Sequence, residues 1–177
     1  DAEKVVHGTP SGIDNTVVAY ESPVYFVKGK EPLTFDSGRT FYIVIGDTGI
    51  KSSTKETVGN VRSLWEKEPN LMNGYFDEIA NVTEGGKQAI EDGDKEAVGE
   101  LINKNHELLN KIGVGHQELE KLVDITLDAG ALGAKLTGGG GGGNMVALAK
   151  NAEEQKEICE KITEAGYRAY QTTFGED

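Results

Sequence analysis

Two stretches of the chain carry residue types able to do chemistry. The first is Gly138 to Gly143, six consecutive glycines between Lys135-Leu136-Thr137 and Asn144-Met145-Val146. A bare glycine tract is ordinarily a flexible linker. This one holds no Ser or Pro, and both flanks read as strands. It therefore connects paired strands where backbone is crowded or φ is positive. Successive amides in such a loop can cradle an anion, or brace another loop that does. No Gly-Lys-Ser/Thr closes it, so it is not a P-loop. No helix opens on it, so it is not a dinucleotide fingerprint. The second stretch is Glu3 to Asn15, in which Pro10-Ser11-Gly12 marks a turn, Ser11 can cap a helix, and Asp14 falls in that helix's first turn. An acidic residue there complements the helix dipole. Two glycines and a proline close by also make a tightly fixed loop, a good mount for a reactive carboxylate. Glu3 lies eleven residues earlier, and reaches the same cleft if it ends a strand.

The elements that must position these stretches follow from periodicity. Val24 to Val27 and Leu33 to Phe35 read as short strands with a turn near Gly29. Phe41 to Ile45 is apolar on both faces and reads as a central strand, running into a loop over Gly46 to Gly49. A helix capped by Ser53 or Thr54 covers about 55–66 and is stopped by Pro69. A second helix covers 71–91, weakened at Gly85-Gly86. Asp94 caps a third, with Val98, Leu101, Ile102, Leu108, Leu109 and Ile112 on its apolar face. His116 opens a fourth. The tail reads as strand, glycine loop, strand, helix over about 152–165, and a last strand at Tyr167 to Tyr170. The expected fold is α+β, a small antiparallel sheet with helices on one face.

Composition bounds the function. The chain has 177 residues, 37% of them hydrophobic, enough for one domain or one and a half. Acidic residues outnumber basic ones 30 to 18, for a net charge of -12. That argues against nucleic acid and against an anionic membrane surface as partners. No apolar run approaches the roughly 20 residues of a membrane span. The single Cys159 forms no internal disulfide, which favours a reducing, cytoplasmic setting. The chain opens at Asp1 rather than Met, which reads as a piece of something longer. His7, His106 and His116 share no metal-ligand spacing. His106 reads as a surface or edge residue of its helix, Cys159 as core, and Trp65 alone as no stacking platform.

The segment Glu3 to Asn15, with His7-Gly8-Thr9-Pro10-Ser11-Gly12-Ile13-Asp14-Asn15, resembles the mevalonate kinase signature. Lys135 to Gly143 resembles the third motif of the galactokinase, homoserine kinase, mevalonate kinase and phosphomevalonate kinase superfamily. Thr48 with Ser52-Ser53-Thr54-Lys55, and Asn110-Lys111-Ile112-Gly113-Val114-Gly115-His116, look specifically like mevalonate kinases. The resemblance spans the whole chain in the right order, and the short, acidic make-up suits an archaeal member. It implies ATP and Mg²⁺ as cofactors and mevalonate as the small-molecule substrate. By the same resemblance Asp14 is the catalytic carboxylate, Glu3 the magnesium ligand, and Thr48 and His7 lie on the substrate side. Gly138, Gly139, Gly140, Gly141 and Gly142 support the nucleotide phosphates.

The departures are as informative. The family's N-terminal lysine is absent, as is the Pro-x-x-x-Gly-Leu-Gly-Ser-Ser segment whose amides hold the ATP phosphates. Gly139 stands where the third motif usually has Ala, at a backbone-entropy cost of about 0.5–1 kcal/mol. Asn144 stands where Cys is common. The resemblance thus implies the C-terminal part of such a kinase: residues 1–28 as the end of an N-terminal domain, 29–177 as the C-terminal domain, and no turnover by this piece alone. The alternatives are a sister kinase acting on phosphomevalonate, homoserine or a sugar, and a non-catalytic module that forms a homodimer through apolar surface left uncovered.

Overall fold

A computed structural model describes residues 12–175. The order of elements is α1 (Ile13–Tyr20), β1 (Val24–Tyr25), β2 (Leu33–Thr34), β3 (Phe41–Asp47), α2 (Thr54–Lys67), α3 (Pro69–Asp92), α4 (Lys95–Lys111), α5 (Gln117–Asp128), β4 (Gly133–Thr137), β5 (Asn144–Ala149), α6 (Ala152–Glu164) and β6 (Arg168–Phe174). The α+β reading holds, but helices cover both faces of the sheet rather than one. Four strands form an antiparallel sheet in the order β4-β5-β3-β6, and β1 and β2 make a separate two-stranded ribbon. β3 is interior, as its two-sided apolar run predicted, with Val44 opposite Ala147 on one side and Gln171 on the other.

Side-chain alternation divides the sheet into two faces. Val44, Leu136, Met145 and Ala147 share one core with Leu119, Leu122 and Val123 of α5 and Ile158 and Ile162 of α6. Each such side chain, fully buried, contributes about 1.5–3 kcal/mol. Phe41 and Leu148 point to the other face and pack with Ala89 of α3 and Val98 of α4. The Phe41 and Phe174 rings stack there, 4.9 Å between centroids.

The helix boundaries follow their caps. Ser53 Oγ accepts from the Glu56 amide at 3.4 Å, and Asp94 Oδ1 from the Ala97 amide at 3.0 Å. Pro69 ends nothing. It occupies the first turn of α3, where a missing N–H costs no bond. Gly85-Gly86 does not weaken that helix, which runs unbroken for 24 residues. A Cβ on Gly85 would make an ordinary contact with Leu101 Cδ1 at 3.5 Å and one on Gly86 would meet nothing, so packing demands neither glycine. At the start of α1 the cap position is Gly12, with φ of 86° and no side-chain bond, rather than Ser11. β1 stops at Tyr25 because the chain turns at Val27, whose carbonyl accepts from the Lys30 amide at 2.9 Å.

β4 is an edge strand, and α4 lies along it. Gly99 and Gly133 make the approach possible: a Cβ on Gly133 would sit 2.2 Å from the Gly99 carbonyl oxygen. The outward amides of β4 find their acceptors on this helix. Ala134 N–H donates to Asn103 Oδ1 at 2.9 Å and Leu136 N–H to His106 Nδ1 at 3.2 Å. His106 is therefore not the surface residue expected from its helix. It is buried, because an edge strand with unpaired amides demands acceptors.

Candidate active site around the glycine loop

The glycine loop joins β4 to β5 and lies against the segment that leaves β3. Asp47 ends β3 with its carboxylate held by Arg168 Nη2 at 2.7 Å and by the Gly49 amide at 2.7 Å. The Thr48 amide donates to the Gly143 carbonyl at 3.0 Å, and the Gly143 amide to the Ile50 carbonyl at 2.9 Å. The Thr48 hydroxyl donates to that same Gly143 carbonyl at 2.8 Å and accepts from the Ile50 amide at 3.2 Å. Its proton is thus committed to the loop, and one lone pair remains free to accept.

The tip of the loop is held from the other side. The Gly141 amide donates to the carbonyl of Val114, in the turn between α4 and α5, at 2.9 Å. Side chains do not fit here. A Cβ on Gly140 would fall 2.3 Å from the Val114 oxygen, and one on Gly142 would fall 2.8 Å from Ile50 Cγ2. Both residues have positive φ, 73° and 132°. Gly139 differs, having no positive φ; a Cβ there would meet Thr54 Oγ1 at 2.7 Å. The glycines are needed for close approach as much as for their backbone angles.

The N-terminus of α2 faces this loop, since Thr54 and Thr57 are the side chains that Gly139 and Gly141 approach. The amides of Gly138, Gly139, Gly140 and Gly142 make no hydrogen bond among the described residues, nor do those of Thr54 and Lys55. Free amides beside a helix N-terminus suit an anion such as a phosphate chain. The fit to nucleotide phosphate is therefore good.

Around His106 runs a partly buried polar network that sequence reasoning missed. His106 accepts at Nδ1, so its proton is assigned to Nε2, which faces Glu120 Oε2 at 3.3 Å. Asn110 Nδ2 donates to the same oxygen at 2.9 Å. Glu120 Oε1 is as near the ring, 3.2 Å, yet has no hydrogen-bond partner among the described residues. The network ties the strand that enters the glycine loop to α5, whose N-cap is His116 through Nδ1. The polar residues of α4 were visible in the sequence; their target, a row of backbone amides, was not.

Of the other expected site residues, Asp14 has its backbone in the first turn of α1. Glu3, His7 and the side chain of Asp14 lie outside what the structure describes. Among the described residues no group of three or more His, Cys, Asp or Glu could hold a metal ion. Mg²⁺ commonly takes only one or two carboxylates, with phosphates and water completing its shell. Asp47, the carboxylate at the end of β3, is already engaged by Arg168. Cys159 is buried as expected, and burial pushes its thiol up, away from a nucleophile's range.

Residues 87–168 match the family described as GHMP kinases C terminal. The chain belongs to the GHMP kinases. An archaeal relative, the mevalonate kinase of Thermococcus gammatolerans, is 42% identical over 170 residues, 93% of this chain and 49% of its own length. The crystal structure of L. major mevalonate kinase in complex with R-mevalonate superposes with a TM-score of 0.90 at 31% identity, over 99% of this chain and 56% of that one. The Methanococcus jannaschii mevalonate kinase gives 0.79 at 26%, over 99% and 53%. This GHMP-kinase chain thus spans about half the length of the relatives it matches. No helix among its described residues is long and apolar enough to cross a membrane.

Proposed function

We propose that this chain is the C-terminal half of a kinase that transfers the γ-phosphoryl group of ATP to the primary alcohol of mevalonate, in isoprenoid biosynthesis. The observation that carries the reading is the 42% identity to a mevalonate kinase over 93% of the chain. The division near residue 28 belongs to the same proposal.

Phosphoryl transfer asks the protein mainly for positioning and charge stabilisation. The Asp14 carboxylate accepts the proton of the substrate hydroxyl, or favours its loss, as that oxygen attacks phosphorus. The remaining lone pair of Thr48 accepts a hydrogen bond from a substrate hydroxyl. The free amides of Gly138 to Gly140 and the α2 N-terminus face the phosphate chain. Mg²⁺, when bound through Glu3 and the phosphates, neutralises charge on the transferring group. His7 lies on the substrate side.

The 177 residues contain no Pro-x-x-x-Gly-Leu-Gly-Ser-Ser segment, and by themselves they do not turn over. The test is a fusion to the N-terminal half of the Thermococcus gammatolerans relative, assayed with ATP, Mg²⁺ and mevalonate. The fusion phosphorylates mevalonate, the isolated chain does not, and Asp14→Asn in the fusion lowers kcat by about 10²–10⁴-fold. An Asp14→Asn fusion of undiminished kcat overturns the role of Asp14. Robust turnover by the isolated chain overturns its dependence on the other half.

A further inference from the structure

Away from the glycine loop, on the sheet face that carries Phe41 and Leu148, a cavity of about 240 Å³ lies between the sheet and the α3–α4 pair. Its walls are apolar: Phe41, Leu101, Leu148 and Phe174 supply much of them. It is smaller than the roughly 300–1,000 Å³ of drug-sized pockets, so it suits a small occupant.

Three polar side chains line it, Thr83, Asn105 and Lys135. Thr83 is spent, because its hydroxyl donates to the Ile79 carbonyl at 2.8 Å. The other two are not. Lys135 projects from β4 to this face, in register with Val146. It is half-buried and makes no ion pair, hydrogen bond or ring contact among the described residues. Asn105, half-buried on α4, likewise makes no hydrogen bond. A cation partly withdrawn from water and left without an anion carries some of the cost of desolvation, and a partnered arrangement recovers it. Burial holds the Lys135 amine below its usual range, which is the electrostatic expression of that cost.

An apolar chamber with one unpaired cation and one unpaired amide has a defined complement. We propose that this cavity binds a small amphiphilic monocarboxylate, its carboxylate on Lys135 and Asn105 and its apolar tail between the sheet and the helix pair. The carboxylate supplies the anion the lysine lacks and accepts from the Asn105 amide. The tail replaces water on Leu101, Leu148 and the stacked rings. Lys135 opens the third-motif segment, but its side chain lines this cavity and not the glycine loop, so the proposal stands apart from the kinase reading.

Octanoate and 1-octanol are the probes, since they share a tail length and differ in charge. Isothermal titration calorimetry on the purified protein reads their affinities. Octanoate binds at least tenfold more tightly than 1-octanol, and the methyl resonances of Leu101 and Leu148 shift on its addition. Lys135→Met abolishes the tenfold preference, and Asn105→Leu reduces it. Lys135→Met keeps the far-UV spectrum and raises the unfolding midpoint without ligand, because it removes a partly desolvated charge that has no partner. Equal affinity for the two probes, an undiminished preference in Lys135→Met, or no binding of octanoate overturns the proposal.

Discussion

The Gly141 amide reaches across to the Val114 carbonyl, 2.9 Å away. This bond fixes the tip of the glycine loop to the turn between α4 and α5. It makes the loop a braced structure rather than a linker, and it sets the terms for substitutions there.

Gly140→Ala brings a methyl group to 2.3 Å from the Val114 oxygen, at a φ of 73°. The left-handed backbone alone costs about 1–3 kcal/mol, and the contact displaces the carbonyl that Gly141 needs. Urea denaturation should show a midpoint lowered by at least that amount. Activity of the fused kinase should fall further than that of Gly138→Ala, whose Cβ meets nothing within 4 Å.

Gly139→Ala restores the residue usual in the motif, but here it is coupled to Thr54. The new methyl sits 2.7 Å from Thr54 Oγ1, a side chain that can rotate. The single variant loses stability, and the Gly139→Ala, Thr54→Ala pair recovers it. A double-mutant cycle read by thermal unfolding should give a coupling of about 0.5–3 kcal/mol, and additive effects would refute the contact.

His106→Leu preserves bulk but strands the Leu136 amide and removes the partner facing Glu120. An amide left buried without an acceptor costs about 1–3 kcal/mol. Chemical denaturation should show that loss, and hydrogen exchange at Leu136 should accelerate while exchange at Leu148, deeper in the sheet, keeps its rank.

The tie between α5 and the turn before β6 depends on pH. Tyr167 Oη donates to Glu118 Oε2 at 2.8 Å, and Lys121 bonds the other oxygen. Lys121 first, then Tyr167, holds the Glu118 carboxyl below its ordinary value of 4.5. A carboxyl depressed in the folded state stabilises above its unfolded pKa, and that contribution is lost as pH falls through the folded one. The unfolding midpoint of the parent should exceed that of Glu118→Gln at pH 7. The gap should close as pH drops below 4.5. A constant gap across that window would remove Glu118 as its source.

Much of this arrangement was legible in the residues. Ser53 and Asp94 announced two helix starts by capping chemistry, and the two-sided apolar run at Phe41 announced an interior strand. The glycine loop could be read as a strand connection because both flanks read as strands. What stayed hidden involves partners without a side-chain signature. The carbonyls of Val114 and Ile50 brace the loop, and every residue has a carbonyl. His106 looked solvated because polar residues on helices usually are, and only the neighbouring strand's amides explain its burial. Gly85-Gly86 looked like a break because helix propensity does not register the packing of α3 on α4 through Ala89, Ile90, Val98 and Leu101.

Asn103 and His106 seal one rim of the four-stranded sheet, and the opposite rim is β6. Among the described residues only the β6 rim is left without such a seal, so any strand pairing between copies would stop at a closed pair. Without the seal, both rims would accept neighbours, and pairing could run on into fibres. The two side chains on α4 set the difference between an assembly that terminates and one that does not.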